Sequence, residues 1–154
     1  MGIYLLLKPN QSTLHGGFIA AITIIGLVIY MILHELTHGL TISLLSKTKS
    51  TYTIRFPFLI TGTKAYLNKK SFIIVCFSPS VLFGIIIGSI LFFIPQDYFL
   101  SLFIILGYNF AGSSGDYYQI YIVMKTKRES LIQDDGEKTN IFQENASMNS
   151  HSIT

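Results

Sequence analysis

The sequence predicts an all-α membrane protein of about three transmembrane helices, with a small β-hairpin between the first and the second. Three observations lead there. Half of the 154 residues are apolar and 12% are charged, against about 25% charged in an ordinary soluble domain. The apolar residues gather in long runs, at about 16–45, 71–94 and 98–124. The Lys and Arg residues flank those runs, so the net charge of +3 fits a membrane protein rather than a nucleic-acid binder. The single Cys76 excludes an internal disulfide framework and a four-cysteine zinc site.

The first run carries Phe18, Ile22, Ile24, Ile25, Leu27, Val28, Ile29, Ile32 and Leu33 before any charge appears at Glu35. About 20 apolar residues span a bilayer as a helix, so this run crosses even with tilt. A signal peptide fits it badly, because one charge, Lys8, precedes it and no small-residue cleavage pattern follows. Met1–Lys8 is too short to span and reads as a strand or an interfacial segment. Between the second and third runs, Ile94-Pro95-Gln96-Asp97 is a tight turn, with proline as the stop and Asp97 as a cap. Those two runs therefore form an antiparallel helical hairpin. Residues 51–67 mix Tyr52, Ile54, Phe56, Phe58, Ile60 and Tyr66 with Thr, Arg and Lys around Pro57 and Gly62, as a β-hairpin or bent strand pair does. Residues 1–127 make up the membrane domain. The remainder, 128–154, is polar and poor in apolar residues, and reads as a disordered tail.

Ten of the eleven Lys and Arg residues lie between runs one and two or after run three. The positive-inside rule puts that loop and the C-terminus in the cytoplasm and the N-terminus outside, in a multi-pass protein of the cell membrane.

Two acidic residues, Glu35 and Asp116, fall inside apolar runs, where an ionisable group is costly and marks a functional site. Glu35 belongs to His34-Glu35-Leu36-Thr37-His38, an H-E-x-x-H pattern. On a helix, residues four apart share a face, so both imidazoles reach one metal ion while Glu35 reaches a water bound there and serves as general base. Two histidines leave a zinc ion short of protein ligands. At 1.5 Å per residue, His38 lies about 12 Å and Asp116 about 13 Å from the cytoplasmic ends of their runs, so Asp116 is at the right depth for a third ligand. His15 is nearly 30 Å from His34 along the same helix and is excluded. His151, in the tail, is a weaker alternative, and Cys76 lies shallower and reads as a small apolar filler. Gly107, Ala111 and Gly115, like Ser80, Gly84 and Gly88, recur every four residues, a spacing that allows close helix approach. Asn109, about two turns deeper than Asp116, and Pro79, at the level of the metal, are candidates to bind or make room for substrate.

His34–Gly39, the β-like segment 51–67, Ser78-Pro79 and the run Asn109–Asp116 together resemble the site-2 protease class of intramembrane metalloproteases. More narrowly they resemble the small bacterial membrane family of "putative zincin peptidases". In site-2 proteases an aspartate from a later span completes the zinc site, and Asp116 stands at that position. Their motif ends Leu-Asp-Gly, whereas here Asp116 follows Gly115 and precedes Tyr117.

The reading is thus a zinc-dependent, membrane-embedded peptidase with His34, His38 and Asp116 as metal ligands and Glu35 as base. Its partners are the lipid bilayer and a peptide or membrane-protein substrate, held by strand addition to segment 51–67. The alternatives are a non-catalytic metal-binding regulator or immunity-type protein, and a metal-free subunit with Glu35 and Asp116 as interhelical contacts.

Overall fold

The computed structural model describes residues 16–55 and 58–143. The expectations for residues 1–8, His15 and His151 lie outside them.

The first apolar run is one helix, α1 (Gly16–Ser46), of 31 residues, about 46 Å at 1.5 Å per residue. Its hydroxyl side chains bond back to carbonyls one turn earlier: Thr23 to Ile19, Thr37 to Leu33, Thr41 to Thr37, Ser43 to Gly39 and Ser46 to Ile42. A polar residue in an apolar helix satisfies itself in this way without a partner from water. The helix is followed by β1 (Thr51–Arg55) and β2 (Phe58–Gly62), an antiparallel pair in which Thr51 faces Gly62 and Arg55 faces Phe58. The expected hairpin is therefore present, but it ends at Gly62. Leu67 and Asn68 form β3, which belongs to a different sheet.

The second run is α2 (Lys69–Ile90), with Pro79 inside it and Asn68 as N-cap, its side chain accepting from the Ser71 N–H at 2.9 Å. It stops four residues before the expected end; 91–94 form turns that carry the chain to Pro95. Pro95, not Asp97, is the N-cap of α3 (Gln96–Gly112), and Asp97 lies in its first turn, where a carboxylate complements the helix dipole.

The third run is not one helix. It breaks at Ser113 into α3 and α4 (Ser114–Met124). The cause is local: Gly112-Ser113-Ser114-Gly115 is poor helix sequence, and the Ser113 hydroxyl bonds the Asn109 carbonyl at 2.7 Å. Two helices, α1 and α2, are long and apolar enough to cross a membrane.

The larger correction concerns the tail. Residues 131–134 and 139–142 form β4 (Leu131–Asp134) and β5 (Thr139–Phe142), an antiparallel hairpin that adds to β3 in the order β3-β4-β5. Ile132 is fully buried and joins Ile42, Leu67, Phe72, Val75 and Val123 in one core cluster. Four apolar residues in a polar stretch look like disorder to a composition argument. Spaced as strand residues opposite Leu67, they are enough for a hairpin that docks on an existing core. Lys69 adds a clasp, its Nζ donating to the Met124 and Thr126 carbonyls at 2.8 and 2.9 Å.

A second cluster, Tyr30, Ile87 and Ile105, fills the other half of the helical bundle. Small-residue stripes do little of this packing. A Cβ on Gly88, Gly107 or Gly115 would meet nothing within 4 Å, whereas one on Gly84 would meet Phe110 and Asn109, and Ser80 bonds Tyr117.

Ile132→Ala should cost about 2–5 kcal/mol, the usual range for truncating a buried aliphatic side chain. Thermal unfolding in detergent and protease sensitivity after residue 127 would measure it; a variant as stable as the parent would return the segment to the status of a tail.

Candidate metal centre

The site lies between the two core clusters, where α1, α2 and α4 meet. His34 and His38 are one turn apart on α1 and turn the same way, their Nε2 atoms 3.2 Å apart. The break at Ser113 starts α4 just before Asp116. The Asp116 carboxylate approaches both rings, Oδ2 at 3.4 Å from His34 Nε2 and Oδ1 at 3.4 Å from His38 Nε2. The structure thus brings together three of the four principal residues expected from sequence. The fourth, Glu35, is beside them: donor atoms of His34, Glu35 and His38 lie within 4.8 Å of one another.

These separations suit a metal ion. Nitrogen and oxygen ligands bind zinc at about 2.0–2.1 Å in a tetrahedron, whose edge is then about 3.3–3.4 Å. The donor set, two imidazoles and a carboxylate, is also of the kind that catalytic zinc takes.

Each ring has a second partner. His38 Nδ1 is 3.0 Å from the Val75 carbonyl, and His34 Nδ1 is 2.9 Å from the Tyr30 hydroxyl. Tyr30 in turn donates to Asn109 Oδ1 at 2.9 Å, and Asn109 Nδ2 donates to the Ser80 carbonyl at 3.0 Å. Asn109 and Pro79, expected at the substrate, are instead both fully buried behind the histidines. The reason is packing: from the last turn of α3, Asn109 bonds Tyr30 on α1 and the Ser80 carbonyl on α2. Sequence reasoning missed Tyr30. Its spacing, four residues before His34 on the same helix face, was the available signal.

Glu35 is held by the first hairpin. Its carboxylate accepts from the Thr61 N–H at 3.0 Å, and its carbonyl from the Thr61 hydroxyl at 2.8 Å. Tyr52 reaches α1 next to His38 because residue 39 is glycine; a Cβ there would lie 2.0 Å from the Tyr52 hydroxyl. The turn between β4 and β5 packs on β2, with the Thr63 N–H donating to the Asp134 carbonyl at 2.6 Å and Arg55 paired with Glu137.

Two cavities flank the cluster. One of about 180 Å³ lies beside His38 and Asp116 and extends to Thr61, Asp134 and Thr139. The other, about 490 Å³, lies beside His34 and Glu35 and is lined by Val28, Met31, Leu59 and Tyr108. The first is bordered by several carboxylates; the second is mainly apolar.

The sequence comparisons agree with this geometry. The model of a family described as putative zincin peptidase matches residues 27–131, more than half of the chain. The chain belongs to that family. The matched segment runs from the turn of α1 before Tyr30 to the first residue of β4, and so contains the metal centre with both histidines, Glu35 and Asp116. The family's description supports a zinc-dependent metallopeptidase, with zinc as the implied metal. No curated protein and no solved structure matches the chain.

Two outcomes follow from the packing around the centre. Gly62→Ala places a Cβ 2.2 Å from the Asp135 carbonyl oxygen, a main-chain atom that cannot step aside. The variant should release the β4–β5 turn from β2, seen as faster amide exchange at Thr63; unchanged exchange would mean that the contact is dispensable. Burial pushes the Asp134 carboxyl above its ordinary value of 3.8, against hydrogen bonds from Gly136 and Thr139 that lower it. A carboxyl raised on folding contributes stability that is full below the unfolded value and lost as pH rises through the folded one. Asp134→Asn should therefore gain stability relative to the parent as pH rises above the ordinary carboxyl value, the two converging in acid, as pH-dependent melting would record.

Proposed function

We propose that this chain is a membrane-embedded zinc metallopeptidase, of site-2 protease type, in which His34, His38 and Asp116 hold the metal and Glu35 is the general base. The observation that carries the reading is the convergence of two imidazole nitrogens and the two oxygens of one carboxylate at 3.2–3.4 Å, from residues up to 82 positions apart, next to an independently positioned carboxylate. Held by His34, His38 and Asp116, zinc would supply Lewis acidity, lowering the pKa of a water and polarising the scissile carbonyl. Glu35 takes the proton from the attacking water and returns it to the leaving amine nitrogen. The apolar cavity beside Glu35 receives side chains of a membrane-derived or hydrophobic peptide.

The membrane part of the proposal rests on the surface. Ile24, Ile25, Val28, Ile29, Leu40 and Leu44 on α1, and Val81 and Ile85 on α2, are each at least half exposed. That much apolar area needs lipid or another protein to cover it. The charge distribution then puts the hairpins and the C-terminus on the cytoplasmic side.

An extended substrate pairs with β2 on the edge that faces the site. Glu35 and the substrate compete for the same Thr61 N–H there, so substrate pairing frees the carboxylate as it delivers the peptide bond.

Metal analysis of the detergent-purified chain tests the site. We expect one zinc per chain in the parent, a sharp loss in Asp116→Ala, and full zinc without peptide hydrolysis in Glu35→Gln. Hydrolysis that survives Glu35→Gln removes the base from the mechanism, and a zinc-free parent after zinc supplementation removes the metal centre.

A further inference from the structure

Away from Asp116, the contacts of both histidines lead back to two main-chain carbonyls of α2, and this fixes where the ring protons sit. A main-chain carbonyl only accepts. The Val75 carbonyl is available because residue 79, which would normally donate to it, is proline and has no N–H. Ser78 Oγ at 2.8 Å and His38 Nδ1 at 3.0 Å take the vacant place. His38 therefore carries its proton on Nδ1.

The same logic runs through the other branch. The Ser80 carbonyl accepts from Asn109 Nδ2, so the amide oxygen of Asn109 faces Tyr30. An amide oxygen only accepts, so the Tyr30 hydroxyl spends its single proton on it. The Tyr30 oxygen then presents a lone pair to His34, and His34 Nδ1 must donate. Asn109 is fully buried, and the Ser80 carbonyl and the Tyr30 hydroxyl are the partners that its amide finds there. Both rings end with bare Nε2 atoms, and these are the two atoms that converge on Asp116.

We infer that Tyr30, Asn109 and Pro79 are positioning residues that lock both histidines in the Nε2-ligating tautomer, with the direction of the protons dictated by the Val75 and Ser80 carbonyls on either side of the α2 proline. The inference rests on the metal-site reading above. It gives the Pro79 turn and the buried Asn109 a role in metal affinity instead of substrate contact. Outer partners of this kind typically govern about 10–100-fold in metal affinity.

The test is a chelator-competition titration with Zn²⁺ alone on the full chain in detergent, with melting temperature read in parallel. Tyr30→Phe keeps the ring and loses the relay, and should weaken zinc binding by at least about tenfold. Asn109→Leu should weaken it too, and the double variant should lose no more than Tyr30→Phe alone, because both act along one chain of bonds. Pro79→Ala restores the missing N–H, which competes with His38 for the Val75 carbonyl. It should weaken zinc binding while helix stability holds or rises, and it serves as the deciding arm if Tyr30→Phe does not fold. Histidine ¹⁵N spectra of the zinc-loaded parent should show both Nδ1 atoms protonated. Parental zinc affinity in either folded single variant, Tyr30→Phe or Pro79→Ala, or additive losses in the double variant, overturn the inference and leave the metal site standing. A parent that binds no zinc overturns both.

Discussion

Two imidazole nitrogens and a carboxylate held within 3.4 Å of one another make a demand that the rest of the molecule is arranged to meet. The groups come from α1 and α4, and neither helix alone could bring them there. Each is fixed against α2: α1 through His38 to Val75 and Thr41 to Ser78, α4 through Tyr117 to Ser80 and Cys76 to Gln119. Helix α2 is thus the template on which the site is assembled, and its proline turn lies at the same level as the site. The cost of gathering polar groups in a mostly apolar bundle is met by complete pairing. Among the described residues no buried side-chain nitrogen or oxygen lacks a hydrogen-bond partner.

Around this centre the chain builds two small sheets with different tasks. The β1–β2 hairpin sits against Glu35 and supplies the main-chain donor that holds its carboxylate. The β3-β4-β5 sheet closes the polar cavity from the other side and packs Ile132 into the core beneath it. The two meet where Gly62 lets the Asp135 carbonyl approach, so this wall of the site is made by segments more than 70 residues apart in the chain. The exposed Arg55–Glu137 pair adds little stability of its own, as screened surface pairs do. Its value is in register, since it ties the tip of one hairpin to the other.

The bundle has an apolar cluster in each half. One half is held by Tyr30, Ile87, Ile105 and the buried Thr23–Ser101 hydrogen bond at 2.8 Å; the other by the cluster around Phe72 and Val123. The candidate metal centre occupies the seam, opening to an apolar cavity on one flank and an acidic one on the other.

The sequence by itself determined what depends on local pattern. His34, Glu35 and His38 were legible because a helix turns every 3.6 residues and fixes the face that each side chain takes. The two long apolar helices and the β1–β2 hairpin were legible from run length and alternation. Asp116 was legible as a candidate because a charge inside an apolar run is conspicuous and its depth could be counted. The tertiary structure decided what depends on distant partners. The break at Ser113 follows from a side-chain bond to Asn109 that composition does not reveal, and the ordering of 131–142 from a core face that Leu67 and Phe72 present 60 residues earlier. The burial of Asn109, Pro79 and Tyr30 behind the histidines belongs here too. An asparagine, a proline or a tyrosine in an apolar helix looks the same whether it faces a substrate or a neighbouring helix, and only the packing of α1, α2 and α3 around one centre distinguishes the two.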